Sequence, residues 1–213
     1  MNESSTYITQ ICQIEAGNLF RNNELLFSAE DKTTSLSSFL KSIYQKKQID
    51  YPKFYKMDDL SKLAFIGAAY LLENQVFEQP NHDIALVLSN ANGSLDTDQK
   101  HVKTIENPDA YYPSPAIFVY TLANICLAEI SIYHQLQSEN AFFISEKFEA
   151  TNMLDYTHYL LQSGKAKKVI NGWVDCLDEN YKLAFYLVEK QGKIPHTIEN
   201  INQLMNQYGQ FNH

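Results

Sequence analysis

An excess of basic charge is the first thing missing. The chain has 17 Lys and Arg against 25 Asp and Glu, a formal charge of −8, so it has no cationic face to grip a phosphate backbone, which argues against a nucleic-acid partner. Long apolar runs are missing too. None approaches the ~20 residues a bilayer span requires, and the start, MNESSTYITQ, lacks the basic and apolar regions of a secretory signal. These absences predict a cytoplasmic protein with no membrane span. Cysteine is scarce: Cys12, Cys126 and Cys176 are odd in number, widely spaced and form no Cys-x-x-Cys, which predicts buried free thiols rather than bridges or a metal site. His82, His101, His134 and His196 show no zinc-type spacing. The oxygen-rich stretch Asn90 to Asp98 lacks the twelve-residue spacing and closing glutamate of a calcium loop. No metal and no cofactor is expected. Repeats and low-complexity linkers are also absent, so residues 1–213 are expected to form one domain.

What is present describes an ordinary globular chain, 45% hydrophobic and 20% charged, and 213 residues are enough for a real core. Apolar runs rich in β-branched residues alternate with helical periods, the pattern of βαβ units and a mostly parallel sheet in an α/β fold. Tyr7 to Ile14, Ile84 to Leu88, Ala141 to Ser145, Val169 to Val174 and Tyr181 to Val188 read as strands. Leu36 to Lys47, Asp58 to Glu73, Ala116 to Leu136, Phe148 to Ser163 and Thr197 to Tyr208 read as helices. Asp58 or Asp59 is placed to cap the second helix, and Gly164 to close the fourth.

Four segments carry a more specific pattern. Lys56-Met57-Asp58 precedes the small and apolar helix LSKLAFIGAAYLL. IALVLSNANGSLDTD (Ile84 to Asp98) is a buried-type strand followed by a loop. SPAIFVYTLANICLAEISIYHQL (Ser114 to Leu136) has Ser114, Pro115, Asn124, Ala128, Ser131 and Ile132 at characteristic spacings. SENAFFISEKFEATNMLDYTHYLLQSGKAKKVINGWVD runs from Ser138 to Asp175. In this order, and in one gapless frame from Asn92 to Gly172, they resemble the β-ketoacyl synthase family over roughly Tyr55 to Asp175; the first fifty residues match loosely. In that family a short buried strand ends at the nucleophilic cysteine, a long helix follows, and a glycine-ended turn opens the next strand. Counted from Asn140, the cysteine position falls on Lys147, while the family's two later glycines fall on Gly164 and Gly172. The glycine-rich loop has thinned to Gly93, with Asn90 and Asn92 in place of small residues.

The resemblance implies one half of a thiolase-like fold, a mostly parallel five-stranded sheet with helices on both faces, and a pseudoenzyme. Claisen condensation needs a thiolate that takes and releases the acyl group as a thioester, and a lysine amide is a dead end. The family's histidine motifs, carried in its C-terminal half, do not occur in this sequence. Truncated, cysteine-free relatives of this kind resemble the chain length factors of polyketide systems, and those of aryl polyene and flexirubin-type systems in particular. The implied partner is a catalytic β-ketoacyl synthase subunit in a heterodimer, or a second copy in a homodimer. Acyl carrier protein is engaged indirectly, because an acidic carrier is repelled by an acidic chain. The resemblance also makes Asn92, Ile117 and Phe118 candidates to line an acyl tunnel. It places Ala141, Phe142, Phe143 and Ile144 at a dimer interface, with both faces of their strand buried. The alternative from another class is a self-associating structural or regulatory pseudoenzyme that binds no acyl chain.

Three further features have plainer explanations. Thr151, Asp155, His158 and Gln162 fall on one stripe of the fourth helix, which a helix buried all round would not carry. Asp155 and His158 lie one turn apart, but a solvated face explains them better than an acid–base pair. Lys165, Lys167 and Lys168 read as a solvated turn. Phe118, Tyr120 and Tyr133 belong to a heavy aromatic load that serves a core, an acyl channel or an interface.

Overall fold

Side chains alternate across an extended segment, and here that alternation builds one sheet covered by helices on both sides. The computed structural model describes residues 5–31, 33–73, 75–76 and 79–206. In chain order its elements are β1 (Tyr7–Glu15), β2 (Asn18–Arg21), β3 (Glu24–Ser28), α1 (Leu36–Lys46), α2 (Asp59–Leu71), β4 (Ile84–Asn90), α3 (Leu95–Val102), α4 (Pro115–Phe118), α5 (Ile125–His134), β5 (Asn140–Ile144), α6 (Ala150–Gln162), β6 (Lys168–Leu177), β7 (Asn180–Glu189), β8 (Ile194–Pro195) and α7 (Ile198–Asn206), with a short 3-10 turn at Pro52–Lys56. Among the described residues no helix is long and apolar enough to cross a membrane.

The strand order is β3-β2-β1-β7-β6-β4-β5, with β8 beside β1. The five strands predicted from the sequence are the contiguous run β1-β7-β6-β4-β5. β4 is parallel to β5 and β6, and β7 is antiparallel to β6 and β1, so four of these strands run one way and β7 opposes them. The mostly parallel sheet is therefore present, with a correction of extent, since it has eight strands. The β2–β3 hairpin and the two-residue β8 are the additions. Ala16, Gly17, Asn22 and Asn23 all have positive φ, between 45° and 75°, as tight two-residue hairpin loops require and as glycine and asparagine tolerate.

β4 is buried at every position and feeds both cores. Leu86 and Leu88 pack with Phe39, Leu63, Phe65 and Leu127 beneath α1, α2 and α5. Ala85 and Val87 pack with Met153, Leu160, Trp173 and Leu204 beneath α6 and α7. The Asp58 carboxylate accepts the Ser61 N–H at 2.9 Å and caps α2 as predicted.

Two expectations need correction. The predicted helix from Ala116 to Leu136 is broken into α4 and α5. Ser114 and Pro115 start α4, but Phe118, Val119 and Leu122 do not continue an inward stripe and are exposed. Tyr120 turns inward instead, and its hydroxyl donates to the buried Glu129 carboxylate at 3.0 Å. The predicted loop from Asn90 to Asp98 is a short turn that enters α3 at Leu95. α7 accounts for the predicted terminal helix as far as Asn206; its predicted end, Tyr208, lies outside the described residues.

At Gly172 of β6 the β7 backbone leaves no room for a side chain. The Gly172 φ is +151°, and a Cβ built there would sit 2.1 Å from the Ala184 carbonyl oxygen. Gly172→Ala is expected to cost ~2–4 kcal/mol, the scale of a core clash combined with backbone strain. Urea denaturation measures it, and a variant as stable as the parent would contradict this β6–β7 register.

His196, just before α7, is buried. Desolvation first, and the neighbouring His158 second, push its imidazole from the ordinary 6.5 down to about 3. The unfolded chain therefore takes up a proton that the folded chain refuses, so this stability is intact above pH 6.5 and is lost as pH falls toward 3. The expected slope from this group is about 1.4 kcal/mol per pH unit inside that window. Stability measured from pH 7 to pH 4 should show a slope that His196→Leu reduces; equal slopes would contradict the assignment.

Candidate functional site

β5 lies at the end of the sheet, paired with β4 alone, Leu88 opposite Phe142 and Asn90 opposite Ile144. The four predicted interface residues therefore fall on an edge strand. Phe142 is half-buried against the core under α2 and α5. Phe143 stands edge-on to Tyr156 of α6, with ring centroids 5.8 Å apart, and is 37% exposed, while Ile144 is 65% exposed. Burial of both faces, expected from the apolar run, is thus not met within the chain: α6 and α5 reach the inner half of the strand and leave its end uncovered.

After β5 the Ser145 N–H donates to the Asn90 carbonyl at 3.0 Å, adding one rung, and the Ser145 hydroxyl donates to the Lys147 carbonyl at 2.7 Å. These bonds form the turn into α6. Lys147, the counted nucleophile position, lies on this turn three residues before α6, with an exposed side chain 4.0 Å from the Glu149 carboxylate. Phe148 anchors the turn against Trp173, ring centroids 6.3 Å apart. The three cysteines lie elsewhere, on β1, α5 and β6, and are buried. Burial pushes the Cys12 thiol up to about 12 and raises those of Cys126 and Cys176 further, so none supplies a thiolate near neutral pH.

Asn90, Asn92 and Gly93 shape the loop after β4. The buried Asn90 side chain accepts the Gly93 N–H at 3.0 Å and donates to its carbonyl at 2.8 Å, closing the turn that brings Gly93 to φ +58°. Asn92 is bound through its backbone N–H and side-chain amide to the Asp175 carboxylate, at 3.2 and 2.7 Å. It is thereby tied to the end of β6.

Among the described residues, neither of two clefts takes in all three tunnel candidates. Ile117 borders a cleft of about 270 Å³ with Lys56, Asp58, Lys62, Lys100 and Tyr120. One wall of this cleft is charged: the Asp59 carboxylate bridges Lys62 and Lys100 at 3.2 and 3.3 Å. Burial raises the Asp58 carboxyl above the usual aspartate range. Phe118 is 61% exposed, and its ring stands 5.5 Å from that of His101. Asn92 borders neither this cleft nor a second one of about 440 Å³, which lies against β5 and is lined by Thr121, Leu122, Asn124, Ala141, Phe142 and Ile144. Sequence reasoning missed Thr121 and Leu122, because they lie where the predicted helix breaks; the signal was an apolar Leu122 outside the helical stripe.

The remaining candidates are surface or part-buried groups, several of them with structural partners. Thr151, Asp155 and Gln162 of α6 are exposed, and His158 leans against Thr6, with Nε2 3.1 Å from Oγ1. No acid–base pair forms between Asp155 and His158. Lys165, Lys167 and Lys168 pair with Glu139, Asp83 and Glu189. Among the described residues no group of three metal-ligating side chains occurs.

No family model and no curated protein matches the chain. Solved structures do resemble it. The ishigamide ketosynthase/chain length factor superposes with a TM-score of 0.65 at 14% identity, over 87% of this chain and 62% of that one. A ketosynthase (ApeO) in complex with its chain length factor (ApeC) from Xenorhabdus doucetiae gives 0.60 at 15% identity, over 94% of this chain and 90% of the matched chain. A β-ketoacyl synthase from Burkholderia phymatum gives 0.56 at 11%, over 88% and 59%. This chain thus spans about three fifths of the length of the first and third. At such identities the likeness establishes architecture, and the chain has the thiolase-like fold of ketosynthases.

Proposed function

We propose that this protein is a non-catalytic ketosynthase homologue that pairs with an active β-ketoacyl synthase and helps set product length, as a chain length factor does, in polyene or fatty-acid-type biosynthesis. The observation that carries the reading is the β5–α6 junction. An apolar edge strand leads into a turn where an exposed lysine occupies the position counted for the nucleophile. Lysine cannot sustain a reversible thioester, so the residue change removes condensation while keeping the strand and helix that frame it. The exposed ends of Phe143 and Ile144 and the uncovered edge are what a partner strand or apolar surface would cover. The fold is shared with a ketosynthase in complex with its chain length factor, which supports this pairing over other uses of the fold.

A second reading, self-association without an acyl chain, draws support from Asn92 and Phe118 lying outside the cleft that Ile117 borders. Reconstitution with a catalytic β-ketoacyl synthase from the same organism and its carrier protein separates the two. The chain alone is expected to make no ketoacyl product, and the pair is expected to elute as one complex. Phe143→Asp should weaken that complex at least ~100-fold, about 2.7 kcal/mol, by burying a charge at the edge; because Phe143 is part-exposed in the chain, the variant should still fold. Bulk at the two clefts should act on product length. Tryptophan at Ile117 or Leu122 is expected to shorten carrier-bound products and alanine to lengthen them, since a packed tunnel end cannot take another two-carbon unit without a void. Identical product distributions with the complex intact would favour the self-associating reading.

A further inference from the structure

The layer between the sheet and helices α6 and α7 is mostly apolar, with a polar group where β6 and β7 pair. Asn171 of β6 and Tyr186 of β7 are directly opposite each other in register, and both are fully buried on this face. The Asn171 amide donates to the Thr157 hydroxyl at 2.7 Å and to the Met153 carbonyl at 3.3 Å, both on α6. Its NH2 group is therefore spent, and its Oδ1 has no hydrogen-bond partner among the described residues. The Tyr186 hydroxyl is in the same condition, as is His196 Nε2. The Tyr186 and His196 rings are 5.7 Å apart, so these atoms belong to one neighbourhood. His196 Nδ1 lies 3.4 Å from Thr6 Oγ1, which in turn lies 3.1 Å from His158 Nε2. Nδ1 is thereby engaged, and Nε2 is the ring nitrogen left without a partner beside the Tyr186 ring.

We infer that this layer is a binding site for internal water, held by Asn171 Oδ1, Tyr186 Oη and His196 Nε2. Buried polar atoms in folded proteins are satisfied almost without exception, by protein groups or by ordered water. The donor and acceptor set selects the guest. Asn171 Oδ1 only accepts, a phenol hydroxyl both donates and accepts, and the neutral imidazole Nε2 does one or the other according to its tautomer. An anion cannot donate to Asn171, and a metal ion finds no carboxylate or thiolate here. Burial keeps the phenol protonated and the imidazole neutral, so the guest is neutral, and water supplies both roles at once. The site also ties elements distant in sequence to one another: α6 through Thr157 and the approach to α7 through His196.

A crystal structure of the full chain at high resolution, with ¹⁷O relaxation dispersion of the protein and of Tyr186→Phe, tests the inference. The expected result is water density within hydrogen-bond distance of at least two of the three atoms. The variant should also lose about one long-lived water relative to the parent. Tyr186→Phe removes a single oxygen, so its fold should persist; if it does not, the density in the parent decides alone. No density beside these atoms, or density for a side chain of residues 207–213 in its place, would overturn the site.

Discussion

The structure depends on the complete burial of β4. A seven-residue strand with no exposed position must be paired along both edges and covered on both faces, because its backbone and apolar side chains have no access to water. Those demands place β5 and β6 beside it, α2 and α5 over Leu86 and Leu88, and α6 and α7 over Ala85 and Val87. They also set a boundary. β5 satisfies β4 on one side, and nothing in the described chain satisfies β5 on the other. The fold therefore moves its unmet pairing to a strand whose last two side chains are aromatic and aliphatic, Phe143 and Ile144.

α6 shows how the neighbouring surface is treated. Its inner face, Met153, Thr157, Leu160 and Leu161, packs on the sheet, while Thr151, Asp155 and Gln162 meet solvent. That division suits a helix with water on one side better than one sandwiched between two halves of a larger molecule. Under the proposed pairing, contact is concentrated at the β5 edge and the cleft beside it, where Leu122 and Ile144 are exposed to 60% and 65%. The polar stripe of α6 stays outside. The acidic chain then leaves recruitment of an acidic carrier to its partner.

Much of this fold was legible in the sequence because its cues are strong and local. IALVL announces a doubly covered strand, Asp58 a helix cap, and Gly164, at φ +75°, a helix end. The β2–β3 hairpin was missed because its strands are only four and five residues long, and because its signal is an Asn22-Asn23 turn rather than a hydrophobic period. The break between α4 and α5 was missed for a tertiary reason: Tyr120 leaves the helical path to reach Glu129, and no local pattern reports a partner nine residues on. At the site, frame counting located Lys147 on the turn between β5 and α6. It could not reveal that Asp175 ties Asn92 to the end of β6, since that bond joins residues 83 apart.

Hydrogen exchange at the backbone of residues 140–145, measured with and without the synthase, tests the central claim most directly. Pairing at the β5 edge predicts that these amides slow markedly in the complex, while those of the β2–β3 hairpin at the far edge keep their rates. Unchanged exchange at 140–145 in a formed complex, or protection at the hairpin instead, would contradict the account.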